Sequence, residues 1–496
     1  MIFIQKTTFK LFFGAFLALL GLGLTHAGIG IGGSGRSYGY ITDFASIFVD
    51  GVEYSIAGAN ILINGQSNRP QSELKLGMAV RVEGTINPGG VTGTATVVEY
   101  LGDIVGTIDA APVVNGMIGS FHIYGLAINA DSNTRYTDGV TLAALNAGDA
   151  VEVSGLVNEN DGSFTATRIE KQASLVKIDL RGYISSVTAT TFVLGPSLVV
   201  DYSAAQRAGQ LKDVPPGGFT NGLFVEVKAT TPPANGTLTA TRVNVESSVL
   251  ASPDIPLGVV QGIAAKVTAN GFAMGNQPIV INAQTVFDGA PPSALANNVR
   301  ALASGPVVSG IMTAQAVTIA PALLAVQSRK THGAAGPIFD LPVAANIDVS
   351  GAVTVESRVI GTGGHNIVFQ FDRPVNTVGG VSAKDAGLIN VGVATFAIAG
   401  NDVVVTLTGV PDNKRAKITL TSVNVTGNDA TASVGFLVGD VNNTRSVNSS
   451  DISGVKARSG LPADSTNFRF DVNASGAINS ADISSVKARS GLSLAP

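Results

Sequence analysis

The chain has 496 residues, 45% of them hydrophobic, no cysteine, and a formal charge of −4. Without cysteine it can hold no disulfide scaffold, thiolate metal site or cysteine nucleophile. Its length exceeds a single core, so several domains are expected, and 59 glycines with only 13% charged residues favour short strands joined by tight turns.

Lys6 and Lys10 precede an almost wholly apolar run from Leu11 to Leu24, and Thr25-His26-Ala27 offers a small-residue cleavage site. This pattern predicts a secretory signal peptide over 1–27, because an apolar run of about 14 residues falls short of the ~20 that span a bilayer. Cleavage takes two lysines from the 31 basic side chains and leaves 29 against 35 acidic ones. That balance gives no electrostatic case for nucleic acid or an anionic membrane as partner. The expected location is extracytoplasmic, secreted or associated with the cell surface. Residues 28–38 read as a Gly-rich linker.

A repeat follows. Val80-Arg81-Val82, Val151-Glu152-Val153 and Val225-Glu226-Val227 are led by Gly77, Gly148 and Gly222. Twelve residues after each triplet comes Thr94-Ala95-Thr96, Thr165-Ala166-Thr167 or Thr239-Ala240-Thr241. A weaker fourth copy pairs Val299-Arg300-Ala301 with Thr313-Ala314-Gln315, and the copies open at Gly39, Gly106, Gly182 and Gly262. Valines two apart around a charge place apolar groups on one strand face. Ile47 to Ile56 and Phe121 to Ala130 read as further strands. Four small, closed, barrel-like β-domains are expected at 39–104, 105–174, 178–248 and 258–320.

Phe44 to Val52 followed by Leu74 to Thr85 resembles a family of exported bacterial β-domains of unknown function. The resemblance spans roughly 39–320, strongest in the first copy and faintest in the fourth. It implies spacer or generic binding modules and no activity.

Residues 321–337, with Ser328 to Gly336 polar and turn-rich, read as a linker. Alternating runs then follow at Ile347-Asp348-Val349, Val353 to Glu356, Ile367 to Phe371, Val403 to Leu407 and Ile418 to Leu420. They predict an immunoglobulin-like β-sandwich over 338–434. The fold class is thus mainly β and multi-domain, with a small helical module at the end.

That end, 437–496, carries two twelve-residue loops 31 residues apart, Asp440 to Asp451 and Asp471 to Asp482, each running into a matching helix. Calcium takes six to eight oxygens, and positions one, three, five, seven, nine and twelve of such a loop supply them, the seventh through its carbonyl. In the first loop these are Asp440, Asn442, Thr444, Ser446, Asn448 and Asp451. In the second they are Asp471, Asn473, Ser475, Ala477, Asn479 and Asp482. Gly476 suits the sharp turn at position six, and Ile478 points inward at position eight. Arg445 replaces that glycine in the first loop at a backbone cost of ~1–2 kcal/mol, so two calcium ions are expected, the first loop binding more weakly.

The pair resembles a type I dockerin over about 437–496. The resemblance implies calcium binding and a cohesin-like partner domain, contacted by Ser449, Ser450 and Lys456 in one copy and Ser480, Ala481 and Lys487 in the other. Near-identity of the copies implies docking in two orientations.

No catalytic residue is assigned. His122 lies in a strand, His332 in the expected linker, and His365 near Asp372 without a serine elbow or a zinc-type partner. The main reading is a non-catalytic secreted modular protein. The alternatives are a surface adhesin or carbohydrate-binding protein, with extracellular polysaccharide as partner, and a polysaccharide-associated enzyme lacking a recognised signature. Absence of tryptophan weighs against a sugar platform.

Overall fold

A computed structural model describes residues 33–495 except 45, 89, 101–103, 116–117, 138–139, 253, 345–346, 362 and 426–427. The leader assigned to 1–27 lies outside the described residues, as does 28–32 of the expected Gly-rich linker. The rest of that linker is strand.

The first domain has β1 (Gly33–Phe44), β2 (Ile47–Val49), β3 (Val52–Ser55), β4 (Asn60–Ile63), β5 (Ala79–Ile86) and β6 (Thr92–Tyr100). The strands β1-β2-β3-β6-β5 close on β1, with β4 added alongside β6. β3 and β6 run parallel and the other pairs of the ring antiparallel. This is the five-stranded Greek-key order of the OB barrel, a fold that fixes no function by itself. Val80 and Val82 face the interior, fully buried, while Arg81 between them points outward and pairs with Glu99 across the sheet. Each buried valine or isoleucine of this kind stabilises the barrel by roughly 1.5–3 kcal/mol.

The Thr-Ala-Thr pattern has a packing cause. Ala95, Ala166, Ala240 and Ala314 are all buried. Ala95 lies opposite Gly84 at a bulge in the β5–β6 pair, and Ala166 lies opposite Gly155, where two small residues let the sheet turn tightly. Ile47 to Ile56 and Phe121 to Ala130 are hairpins rather than single strands. They turn at Asp50-Gly51 and Tyr124-Gly125, whose φ values are all positive, as a type I′ turn requires.

The other three copies repeat the order. The second uses Ile104–Thr107, Ile118–Ile123, Leu126–Tyr136, Ala150–Val157 and Phe164–Lys171. The third inserts a short helix, α1 (Ser203–Arg207), and breaks its last strand into Thr237–Thr239 and Arg242–Val245. In the fourth, Ala301 pairs with Gly262 as Val80 pairs with Gly39, so the expected triplet is displaced by two residues to Ala301-Leu302-Ala303. Its following hairpin is shorter by the same two residues, which preserved a misleading spacing. Asn298, φ 70°, stands there in place of the leading glycine.

The four barrels do not form a string. Gly35 to Tyr38 of β1 run parallel to Leu257 to Val260, joining the first copy to the fourth in one 14-stranded sheet. Asp179 pairs with Val105, joining the third to the second. Asn158 hydrogen-bonds Asn298, Arg300 pairs with Asp131, and Tyr183 donates to Asn276. An open cleft of about 800 Å³ is lined by residues of all four copies, among them Arg81, Val153, Arg181 and Asn276.

The expected linker is the first strand of the sandwich, Leu323–Thr331, hydrogen-bonded to Ile338–Pro342 and His365–Phe371. Ser328 is polar yet buried and is followed by the half-buried Arg329 and Lys330, and this hid the strand. The five-stranded sheet continues through Asp402–Thr408 to Val393–Ala399. The facing sheet holds Thr354–Glu356, Ala430–Phe436, Lys414–Thr421 and Gly380–Lys384. Phe369, Val405, Ile418 and Val434 fill the space between them. Ile347 to Val349, expected as a strand, is irregular and enters a turn.

Candidate calcium and docking site

The C-terminal module is built from α2 (Ser449–Lys456) and α3 (Ser480–Lys487), each preceded by its loop. Asn448 and Asn479, at loop position nine, are the N-caps, each side-chain oxygen accepting the N–H two residues on, Ser450 or Ala481, at 2.8 Å. Asp451 and Asp482, at position twelve, accept the cap's own N–H at 2.9 and 2.8 Å, completing capping boxes. The same carboxylates reach back to the N–H groups of Asn442 and Asn473. Position twelve therefore ties loop to helix before any ion is considered.

Position one closes the other end. Asp440 accepts the N–H groups of Thr444 and Arg445 at 2.9 and 2.7 Å, and Asp471 accepts those of Ser475 and Gly476 at 3.0 and 2.7 Å. Gly476 has φ 93° and Arg445 has φ 65°, so the arginine does adopt the left-handed backbone that favours glycine. Val441, Val447, Val472 and Ile478 are buried beneath the loops.

The remaining donors converge. Thr444 Oγ1 lies 2.7 Å from Asn442 Oδ1 and 3.2 Å from the Ser446 carbonyl. Ser475 Oγ lies 3.4 Å from Asp471 Oδ1 and 3.1 Å from the Ala477 carbonyl. Asn448 and Asn479 instead direct their oxygens to the helix ends.

All four aspartates are fully buried. Burial pushes Asp440 up, and the like charge of Asp451 adds to it. Asp482 is pushed up in the same way by burial and by Asp471. Two buried acids facing each other among neutral oxygens form a donor set suited to a hard divalent cation. Among the described residues no group of three or more His, Cys, Asp or Glu converges on a metal site. Each loop brings two carboxylates together with amide, hydroxyl and carbonyl oxygens.

Ser449, Ser450, Lys456, Ser480, Ala481 and Lys487 are all exposed. The structure thus leaves both expected docking faces open to solvent.

The structure adds a neighbour that sequence reasoning missed. Val353 and Val355 of the sandwich share one apolar cluster with Leu437, Val455, Val472 and Val486. Val355 N–H donates to Asn443 Oδ1, and Val359 N–H to the Val472 carbonyl. Arg489 pairs with Asp412. His332, assigned to a linker, is fully buried and hydrogen-bonded to Asp471. The alternation of Val353-Thr354-Val355 was a signal of burial, but nothing in it named the covering element. His122 is exposed, and His365 is buried against Phe436 at the opposite end of its strand from Asp372.

Two capped loop–helix units around a common core define a paired EF-hand-type module. Residues 438–489 match the dockerin type I domain, whose members generally bind calcium and interact with cohesin domains. Residues 105–170, 181–244 and 258–318 match a domain of unknown function, DUF5666. Those are the second, third and fourth copies, so the ranking that put the first copy nearest the family and the fourth furthest is overturned. The shared strand order ties the first copy to the others. No curated protein matches the chain. No helix among the described residues is long and apolar enough to cross a membrane.

Proposed function

We propose that the chain is a secreted, non-catalytic modular protein that docks through its C-terminal module onto a cohesin-type domain of another protein. The module holds two calcium ions, the second loop more tightly than the first, and the barrels and sandwich are the body it anchors, as spacer or binding modules. The observation that carries this reading is the pair of equivalent loop–helix units, each with a buried acid pair and an exposed face.

Asp440, Asn442, Thr444, Ser446 and Asp451 would hold one ion, and Asp471, Asn473, Ser475, Ala477 and Asp482 the other, with Asn448 and Asn479 reaching theirs through water at position nine. Bound calcium supplies the positive charge that the buried acid pairs lack. The protein's part is to preorganise those oxygens and to present the helix N-terminal faces.

Calcium calorimetry on the full chain tests the reading. Two saturable events are expected, the tighter one abolished by Asp471→Ala with Asp482→Ala. No heat at millimolar calcium would sink it. In calcium, a type I cohesin domain should retain the chain when Lys456→Glu or Lys487→Glu is introduced singly and release it when both are present.

A further inference from the structure

The two loops are near copies in sequence but differ in what stands behind their first aspartate. Among the described residues, Asp440 accepts hydrogen bonds only from N–H groups of its own loop, those of Thr444 and Arg445. Asp471 receives its loop's N–H groups and, in addition, His332 of the sandwich, whose Nδ1 lies 2.7 Å from Asp471 Oδ2.

The histidine is held in turn. Its Nε2 lies 3.3 Å from Arg358 Nη1. A guanidinium can only donate, so Nε2 accepts and the ring proton resides on Nδ1, aimed at the aspartate. Arg358 is itself fully buried and fixed at both edges. It grips Glu356 through Nε at 2.8 Å and Nη2 at 2.6 Å, and donates to the Ser328 carbonyl at 2.8 Å. Phe468 lies beneath the guanidinium, 5.2 Å from its carbon. Gly333 N–H, beside the histidine, donates to the Ala474 carbonyl inside the second loop at 2.8 Å.

We infer that the sandwich supplies the outer shell of the second calcium site, with His332 as the positioning residue for Asp471. The inference rests on the calcium reading above. The chain Glu356–Arg358–His332–Asp471 fixes one oxygen of the position-one carboxylate and leaves the other for the ion. His332 therefore bears on second-loop affinity, whereas the sandwich meets the first loop at Asn443 and not at its first aspartate among the described residues. By reciprocity, calcium in the second loop tightens the sandwich strand that carries the histidine.

The test is calcium calorimetry on the full chain in two backgrounds, one keeping only the second loop (Asp440→Ala with Asp451→Ala), the other only the first (Asp471→Ala with Asp482→Ala). His332→Ala should weaken the second loop roughly tenfold, the size expected for loss of an outer-shell partner, and leave the first unchanged. His332→Asn, whose amide can stand where Nδ1–H stood, should recover most of the loss. In the unsubstituted chain, calcium should slow deuterium exchange across Leu323–Thr331, a readout independent of any variant's folding. Equal losses at both loops, no difference between the alanine and asparagine variants, or unaltered exchange across that strand would overturn the inference while the calcium reading stands. No calcium binding by the unsubstituted chain would remove both.

Discussion

Single residues in this chain titrate or strain in ways that can be read directly. His365 is buried against Phe436, and burial lowers its pKa from 6.5 to about 4, with Glu356 opposing. The unfolded chain binds a proton at this site below pH 6.5 while the folded one does not until about 4. Protons therefore favour unfolding, so the contribution is present above 6.5 and lost as pH falls toward 4, about 3 kcal/mol in all. Urea midpoints at pH 7 and pH 4.5 should differ less in His365→Gln than in the parent. Glycine 148 and glycine 77 offer a second comparison. Both have φ 83°, but a Cβ on Gly148 meets nothing within 4 Å, whereas one on Gly77 would lie 2.4 Å from the Thr167 carbonyl of the second barrel. Gly148→Ala should cost ~1–2 kcal/mol of backbone strain alone, and Gly77→Ala distinctly more, as read by thermal melts. The need for glycine at Gly77, Gly148 and Gly222 was legible from their spacing. The neighbour that makes Gly77 special was not, because it lies in another copy.

At the scale of elements, α2 and α3 were legible as helices because loop and helix repeat together, but each starts three residues before and ends four residues before the expected Ile452–Gly460 and Ile483–Gly491, since the caps at Asn448 and Asn479 begin the helix inside the loop. The strand Leu323–Thr331 was missed because its middle is Ser328-Arg329-Lys330. Ser328 is buried by accepting a role in the Glu356–Arg358 network, which no hydrophobic pattern announces. The shared core makes a firm prediction. Val355→Ala removes buried volume from the seam between sandwich and module and should cost about 2 kcal/mol. If the two form one cooperative unit, calorimetric unfolding of both should shift together rather than split. Asn479→Ala, which removes the N-cap of α3, should cost ~1 kcal/mol and should weaken the second loop without touching the first.

At the scale of the molecule, four copies of a barrel were countable in the sequence, but their arrangement was not. The contacts that gather them, such as Arg300 with Asp131, lie far apart in sequence and use the outward charges that look like solvated faces. Small-angle scattering on the 33–320 segment separates the two pictures. A compact body of that length has a radius of gyration near 19 Å by the usual scaling, and a string of four barrels would approach roughly 30 Å.

The parallel pairing of β1 with Leu257 to Val260 also sets an order of events. A chain synthesised from its N-terminus completes the first five-stranded ring long before the fourth copy appears. Until then the Gly35 to Tyr38 side of β1 is an open edge, able to capture a stray strand. Gly35 keeps that edge bare for its partner, since a Cβ there would lie 2.1 Å from the Leu257 carbonyl. This pairing joins positions 222 residues apart in the chain, and non-local contacts of that kind form slowly and are exposed to error.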